Sequence, residues 1–135
     1  RDFIAWLYGA KSVNEKQFSK IYNTRGIEKK YWDGKFIKNH YGRIIESDKF
    51  HNINYTVQST TADLVLRQVL KVDKILKNSQ SKIACIIHDS VVIDMKKEDK
   101  SKINDIINTY CNTEFGKYIC SAKIGKNLGE MKKIL

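Results

Sequence analysis

The sequence predicts an α+β fold in which helices pack on a small antiparallel sheet and a β-hairpin carries an aspartate at its tip. Three observations point there. Apolar residues recur at spacings of three and four from Ala62 to Leu76 and again from Ile103 to Tyr110, the stripe of an amphipathic helix. Two apolar, β-rich runs, Ile83 to Ile87 and Val91 to Ile93, are separated only by His88-Asp89-Ser90, a short polar break that suits a hairpin. A chain of 135 residues with 41% hydrophobic and 30% charged side chains can bury a real core.

Taken in order, residues 1 to 8 read as the end of a helix stopped at Gly9. A helix that opens with no cap before it suggests a chain cut from something longer. Ser12 and Glu15 have capping-box spacing, so a second helix is expected to run through Phe18, Ile21 and Tyr22 to about Thr24. Ile27 to Lys38 is an aromatic-rich helical candidate interrupted by Gly34, and Tyr41 to Ile45 reads as a turn leading into a short strand. The long helix is expected over Ser59 to Leu76, with Ala62, Val65, Leu66, Val69, Val72 and Leu76 as its stripe. After the hairpin come a helix over Lys100 to Asn112, a strand over Tyr118 to Ile124 and a Gly-punctuated tail. With no proline and seven scattered glycines there is no linker-like stretch, and the chain reads as one continuous unit.

Charge narrows the partners. The 25 Lys+Arg against 15 Asp+Glu give a net charge of +10 and a pI near 9.5, which favours a polyanion. Nucleic acid is preferred to a membrane, because no basic amphipathic helix is evident and no apolar run approaches the roughly 20 residues of a membrane span. The expected location is cytoplasmic, or the host cytosol if the protein is phage or plasmid encoded. Cys85, Cys111 and Cys120 lack C-x-x-C spacing and are odd in number, which speaks against a disulfide scaffold or zinc ribbon. Cys85 and Cys111 read as small core residues.

Asp89 is the most informative residue. Apolar strands flank it, where a carboxylate is costly unless a metal, a proton or a hydrogen-bond donor meets it. A hard cation such as Mg2+ takes one or two carboxylates and leaves room for substrate phosphates. On the triplet alone, turn chemistry is the simpler account of His-Asp-Ser. Asn54 and Gln58, four apart, would share a helix face if the long helix starts early. Paired amides can read base edges, though such residues are more often caps and turn formers.

Joined in order, these pieces resemble one family. NYTVQSTTADLVL (residues 54 to 66) followed by IACIIHDSVVID (83 to 94) is similar to the C-terminal palm of family A DNA polymerases, the DNA polymerase I type. There an N-x-x-x-Q-x-x-x-A-D helix start precedes an H-D-E hairpin. Leu7 to Ala10 resembles the end of the family's fingers helix, Tyr41-Gly42-Arg43 its aromatic-Gly-Arg element, and AKIGKNLGEM its C-terminus, with Leu128 where a Trp is common. The resemblance runs nearly end to end, and several weak motifs in the right order outweigh any one of them.

The resemblance implies residues 1–40 as the end of the fingers and 41–135 as part of the palm. It implies a template-directed DNA polymerase acting on primer-template DNA and dNTP by two-metal catalysis with Mg2+ as cofactor. Asp89 would be one of two metal-binding palm aspartates, and His88 would lie against the primer strand. Gln58 and Asn54 would meet the minor-groove side of the duplex, and Arg43 would contact the DNA backbone or stabilise the site. Tyr8 and Gly9 would shape the pocket beside the templating base, with Ile4 where the family usually has an aromatic. Ser90 stands where the family has Glu, so the site has one acidic ligand fewer. The family's other metal-binding Asp and its triphosphate-binding Arg and Lys would fall before Arg1. The chain is therefore expected to be a fragment, or one half of a split enzyme that needs an upstream part in the same or a partner chain. The alternative is a non-catalytic basic module that binds nucleic acid.

Overall fold

The computed structural model describes residues 15–135; the expected first helix, the Ser12 cap, Ile4, Tyr8 and Gly9 lie outside the described residues. The chain divides into two compact units, one ending at Asp63 and the other beginning at Leu64, where a single continuous unit was expected.

The first unit contains α1 (Glu15–Ile21), α2 (Thr24–Tyr31), the antiparallel pair β1 (Phe36–Lys38) and β2 (Ile44–Glu46), and the start of α3 (Asn52–Leu76). Asn23 begins α2, its side chain accepting from Gly26 N at 2.9 Å. The expected helix over 27–38 is corrected to a helix that ends at Tyr31 and a strand. Asp33 Oδ1 accepts from Lys35 N and Phe36 N, and Gly34 takes φ +106°, so the chain turns and pairs. The connection to β2 uses Gly42 at φ +88°.

α3 starts seven residues before the expected Ser59. Asp48 Oδ1 accepts from Phe50 N and His51 N at 2.7 and 3.0 Å, which is N-cap chemistry. The turns that follow are polar, with Thr56 and Thr60 hydroxyls bonded back to carbonyls four residues earlier. An apolar stripe cannot mark such a segment. Among the described residues of this unit the one fully enclosed apolar side chain is Ile37, and Asn39, Asn52, Asn54, Thr56 and Ser59 are buried as well.

In the second unit α3 continues to Leu76, followed by the hairpin β3 (Lys82–Ile87) and β4 (Ser90–Asp94), a 3-10 turn over Lys97–Lys102 and α4 (Ile103–Cys111). Three short strand pairings close the chain's register: β5 (Asn112–Thr113) with β6 (Gly116–Lys117), and β7 (Lys123–Gly125) with β8 (Met131–Lys133), beside β3 with β4. Val72, Leu76 and Ile106 form the core, with Ile75, Ile83, Ile93, Met95 and Tyr110 packed on it. Burying apolar surface this way is worth about 25 cal/mol per Å2. Of the predicted stripe on α3, Val69, Val72 and Leu76 are buried and Leu66 is exposed.

The mixed α and β composition agrees with the expected class, but the sheet does not form as a single layer. Among the described residues there are four separate two-stranded antiparallel pairs, each a local hairpin of short strands. Of the strand expected over Tyr118–Ile124 only Lys123 and Ile124 are extended, at the start of β7; Tyr118 N instead bonds Cys111 O. Cys111 is bonded to Cys120, where free thiols were expected, and Cys85, expected in the core, is free and exposed. No described helix is long and apolar enough to cross a membrane.

Candidate functional site

The hairpin puts Asp89 where the sequence placed it. Ile87 pairs with Ser90, so His88 and Asp89 alone form the turn. Turns of this length in hairpins need positive φ at the first central position or at both. His88 supplies it at φ +54°, and it is the one non-glycine among the described residues in that region. Glycine is the usual choice there, because a β-carbon makes the left-handed conformation cost about 1–2 kcal/mol. Such outliers persist where the surroundings hold them, and they cluster at functional sites. The ladder also skips Ala84, a bulge that sharpens the local twist of β3.

His88, Asp89 and Ser90 are exposed, so the carboxylate of Asp89 stands at the unit's surface. The turn is tied from below. The hydroxyl of Tyr110, on α4, donates to the backbone carbonyl of Asp89. Burial first, and the nearby Asp89 charge second, push the Tyr110 hydroxyl above its ordinary value, so it remains a donor at neutral pH. The sequence marked Tyr110 only as part of a helix stripe; its signal was a phenol on an apolar face, whose O–H must find an acceptor.

The end of the hairpin is fixed by a second polar cluster. Asp99 accepts from Gln80 N, Ser81 N and Ser81 Oγ at 3.1, 3.0 and 2.7 Å, with Lys102 Nζ at 3.8 Å. The Ser81 hydroxyl, ahead of the backbone donors and Lys102 and against desolvation, holds the Asp99 carboxyl below its ordinary value. Gln68 closes α4: its Nε2 faces the carbonyls of Thr109, Tyr110 and Asn112 at 2.8, 3.1 and 2.7 Å.

Arg43, Asn54 and Gln58 belong to the first unit. Arg43 grips Asp63 with two nitrogens, Nε at 3.0 Å from Oδ2 and Nη2 on Oδ1. Asn39 completes the cluster, giving Nδ2 to Asp63 Oδ2 at 2.7 Å while its Oδ1 accepts from Tyr41 N and Arg43 N, both at 2.9 Å. This bidentate clamp locks the Tyr41-Gly42-Arg43 loop onto α3. Asp63 lies within residues 54–66, whose pattern carries no sign of a partner 20 residues earlier. Asn54 and Gln58 both lie on α3, one turn apart. Gln58 is exposed, whereas Asn54 is 4% exposed and its Oδ1 has no partner among the described residues.

The donor set bears on metal binding. Among the described residues no three or more His, Cys, Asp or Glu side chains gather to hold an ion. The His88-Asp89-Ser90 turn itself therefore offers one carboxylate, that of Asp89. That suits a hard cation which keeps waters and substrate oxygens as its other ligands. Lysines gather on the last hairpin: Lys123 faces Lys133 across the ladder and Lys132 faces Ile124, all exposed and with no ion pair among the described residues. Like charges directly opposed disfavour a strand pair unless something neutralises them.

Comparison with known proteins agrees with the sequence resemblance. The sequence model of DNA polymerase family A matches residues 11–130. The DNA polymerase I of Aquifex aeolicus (strain VF5) is 31% identical over 75 residues, which are 53% of this chain and 13% of that protein's length. No solved structure matches the chain. The matched stretch is thus a small part of that relative, yet the family model takes in the described segments from α1 to β7, most of the chain: the chain belongs to family A of the DNA polymerases.

Proposed function

We propose that this chain is the C-terminal palm, with the end of the fingers, of a template-directed DNA polymerase. Residues 1–40 are assigned to the fingers and 41–135 to the palm. The observation that carries the reading is the family match over residues 11–130 combined with an exposed Asp89 at a two-residue hairpin turn.

The reaction is attack of the primer 3′-hydroxyl on the α-phosphorus of a bound deoxynucleotide. A phosphodiester bond forms, and the bond to the departing pyrophosphate breaks. Divalent ions, Mg2+ by the chemistry of the donors, supply Lewis-acid charge neutralisation when bound. Asp89 contributes carboxylate oxygens to that centre, and the second carboxylate comes from an upstream part of the polymerase. Ser90 is a hydroxyl beside Asp89, so the turn adds no second negative charge. His88 lies against the primer strand.

Gln58, exposed on α3, and Asn54, one turn earlier, meet the minor-groove side of the duplex. Asn54 must turn outward to do so, since its side chain is buried. Arg43 acts through its clamp on Asp63, which holds the loop before β2. Tyr8 and Gly9, with Ile4, shape the template and nucleotide pocket. The unpaired lysines of the last hairpin contact backbone phosphates.

The test is primer extension by the natural protein that carries this chain, assayed with Mg2+. Asp89→Asn should reduce turnover by roughly 100- to 1000-fold, several kcal/mol of charge stabilisation, with primer–template affinity unchanged. Undiminished extension would remove Asp89 from the reaction. A second reading, a non-catalytic nucleic-acid-binding module, is favoured by the net charge of +10 and by Asp89 standing outside any cluster of three metal-ligating side chains among the described residues. It predicts salt-sensitive duplex binding that ignores both Mg2+ and Asp89.

A further inference from the structure

The strained turn raises the question of what holds it. His88 sits at φ +54° without being glycine, and a two-residue turn offers no hydrogen bonds beyond the ladder pair at Ile87 and Ser90. Tyr110 supplies one from outside the hairpin. Its ring packs against the Val72, Leu76 and Ile106 core, and its hydroxyl donates to the Asp89 carbonyl. One face of the residue is thus fixed by apolar contact, and the other fixes the backbone of the turn. α4 itself is held at its C-terminal end by Gln68, whose amide faces the Tyr110 carbonyl.

We propose that Tyr110 is a positioning residue that sets the direction in which the Asp89 carboxylate leaves the turn, transmitting the rigidity of the α3–α4 core to the hairpin tip. The inference rests on the proposed role of Asp89. The hydrogen bond goes to the main-chain carbonyl, which leaves both carboxylate oxygens available. A free turn of this kind would sample neighbouring backbone states, and a small misplacement of a reacting group is costly in rate.

Tyr110→Phe removes the hydroxyl and keeps the ring in the core. Hydrogen exchange of the turn amide at Ser90, which pairs with Ile87, should speed up by about tenfold, the loss of one hydrogen bond. In the natural polymerase, primer extension should show a lower kcat with KM for the deoxynucleotide unchanged. Ile106→Val is the control, since it trims the same core without touching the turn; it should loosen α4 generally and leave turn exchange and kcat near wild type. If Tyr110→Phe matches wild type in both turn exchange and kcat while Asp89→Asn abolishes extension, Tyr110 does not position the turn. The same holds if Ile106→Val lowers kcat as much as Tyr110→Phe, because general loosening then explains the loss. If Asp89→Asn leaves extension intact while Tyr110→Phe still frees the turn amide, the contact stands as drawn and its catalytic purpose is overturned together with the role of Asp89.

Discussion

The two units are built from opposite materials. In the unit ending at Asp63, Ile37 is the enclosed apolar residue among those described, and the interior is otherwise Asn39, Asn52, Asn54, Thr56 and Ser59. In the unit from Leu64 onward, Val69, Val72, Leu76, Ile106 and Cys111 are buried, and polar groups appear as staples: Gln68 on the end of α4, Asp99 on Ser81. Orphaned polar atoms follow the same division. Among the described residues, Trp32 Nε1, Asn52 Oδ1 and Asn54 Oδ1 lack partners in the first unit, against Gln68 Oε1 in the second. Apolar burial provides energy without direction, whereas a hydrogen-bond network fixes geometry for a small net gain. The Asp89 turn rests on the energetic kind of interior, and the Arg43 loop on the directional kind.

The difference can be broken at four points. Leu76→Ala should do most, costing about 2–5 kcal/mol in urea unfolding, because Leu76 is 2% exposed and its cavity cannot collapse fully. A cost below about 1 kcal/mol would mean that the second unit is not held by its core. Asn39→Ala should cost about 1–3 kcal/mol by leaving Tyr41 N and Arg43 N without their acceptor, and it should free the loop to proteolysis.

The third point is pH. Asp99 has a folded-state pKa below its ordinary 3.8, so its contribution is full above that value and is lost as pH falls through the folded value. Asp99→Asn should therefore flatten part of the acid limb of the stability curve. Asp33 and Asp48 keep the remainder: backbone donors from Phe36 and Lys35 lower the first, and His51 and backbone donors lower the second. The smallest effect is expected for Arg43→Lys. Its exposed ion pair with Asp63 contributes little to stability, but losing the fork should slow extension more than it lowers the melting temperature.

Legibility followed the same division. The second half of α3, α4 and the β3–β4 hairpin were readable, because apolar residues on one face leave a period. The first turns of α3 were not, since Thr56, Gln58 and Ser59 carry no period and the start depends on the cap at Asp48. Phe36 to Lys38 was mistaken for helix because its aromatic neighbours mimic a stripe, while Asp33 and Gly34 decide the turn. For the site, Asp89 was visible as a carboxylate between apolar strands. Its anchor Tyr110, 21 residues away in sequence, and the pairing of Arg43 with Asp63, 20 away, are tertiary and left no local pattern.

The central claim is that the Asp89 carboxylate meets a hard metal ion during nucleotidyl transfer. Its most direct test is the metal dependence of Asp89→Cys in primer extension by the natural protein, since a thiolate is a soft ligand that disfavours Mg2+. The account predicts activity that is lost in Mg2+ and recovered in part with Mn2+ or Cd2+, while wild type shows no such switch. An Asp89→Cys protein that extends primers in Mg2+ as well as wild type would contradict it.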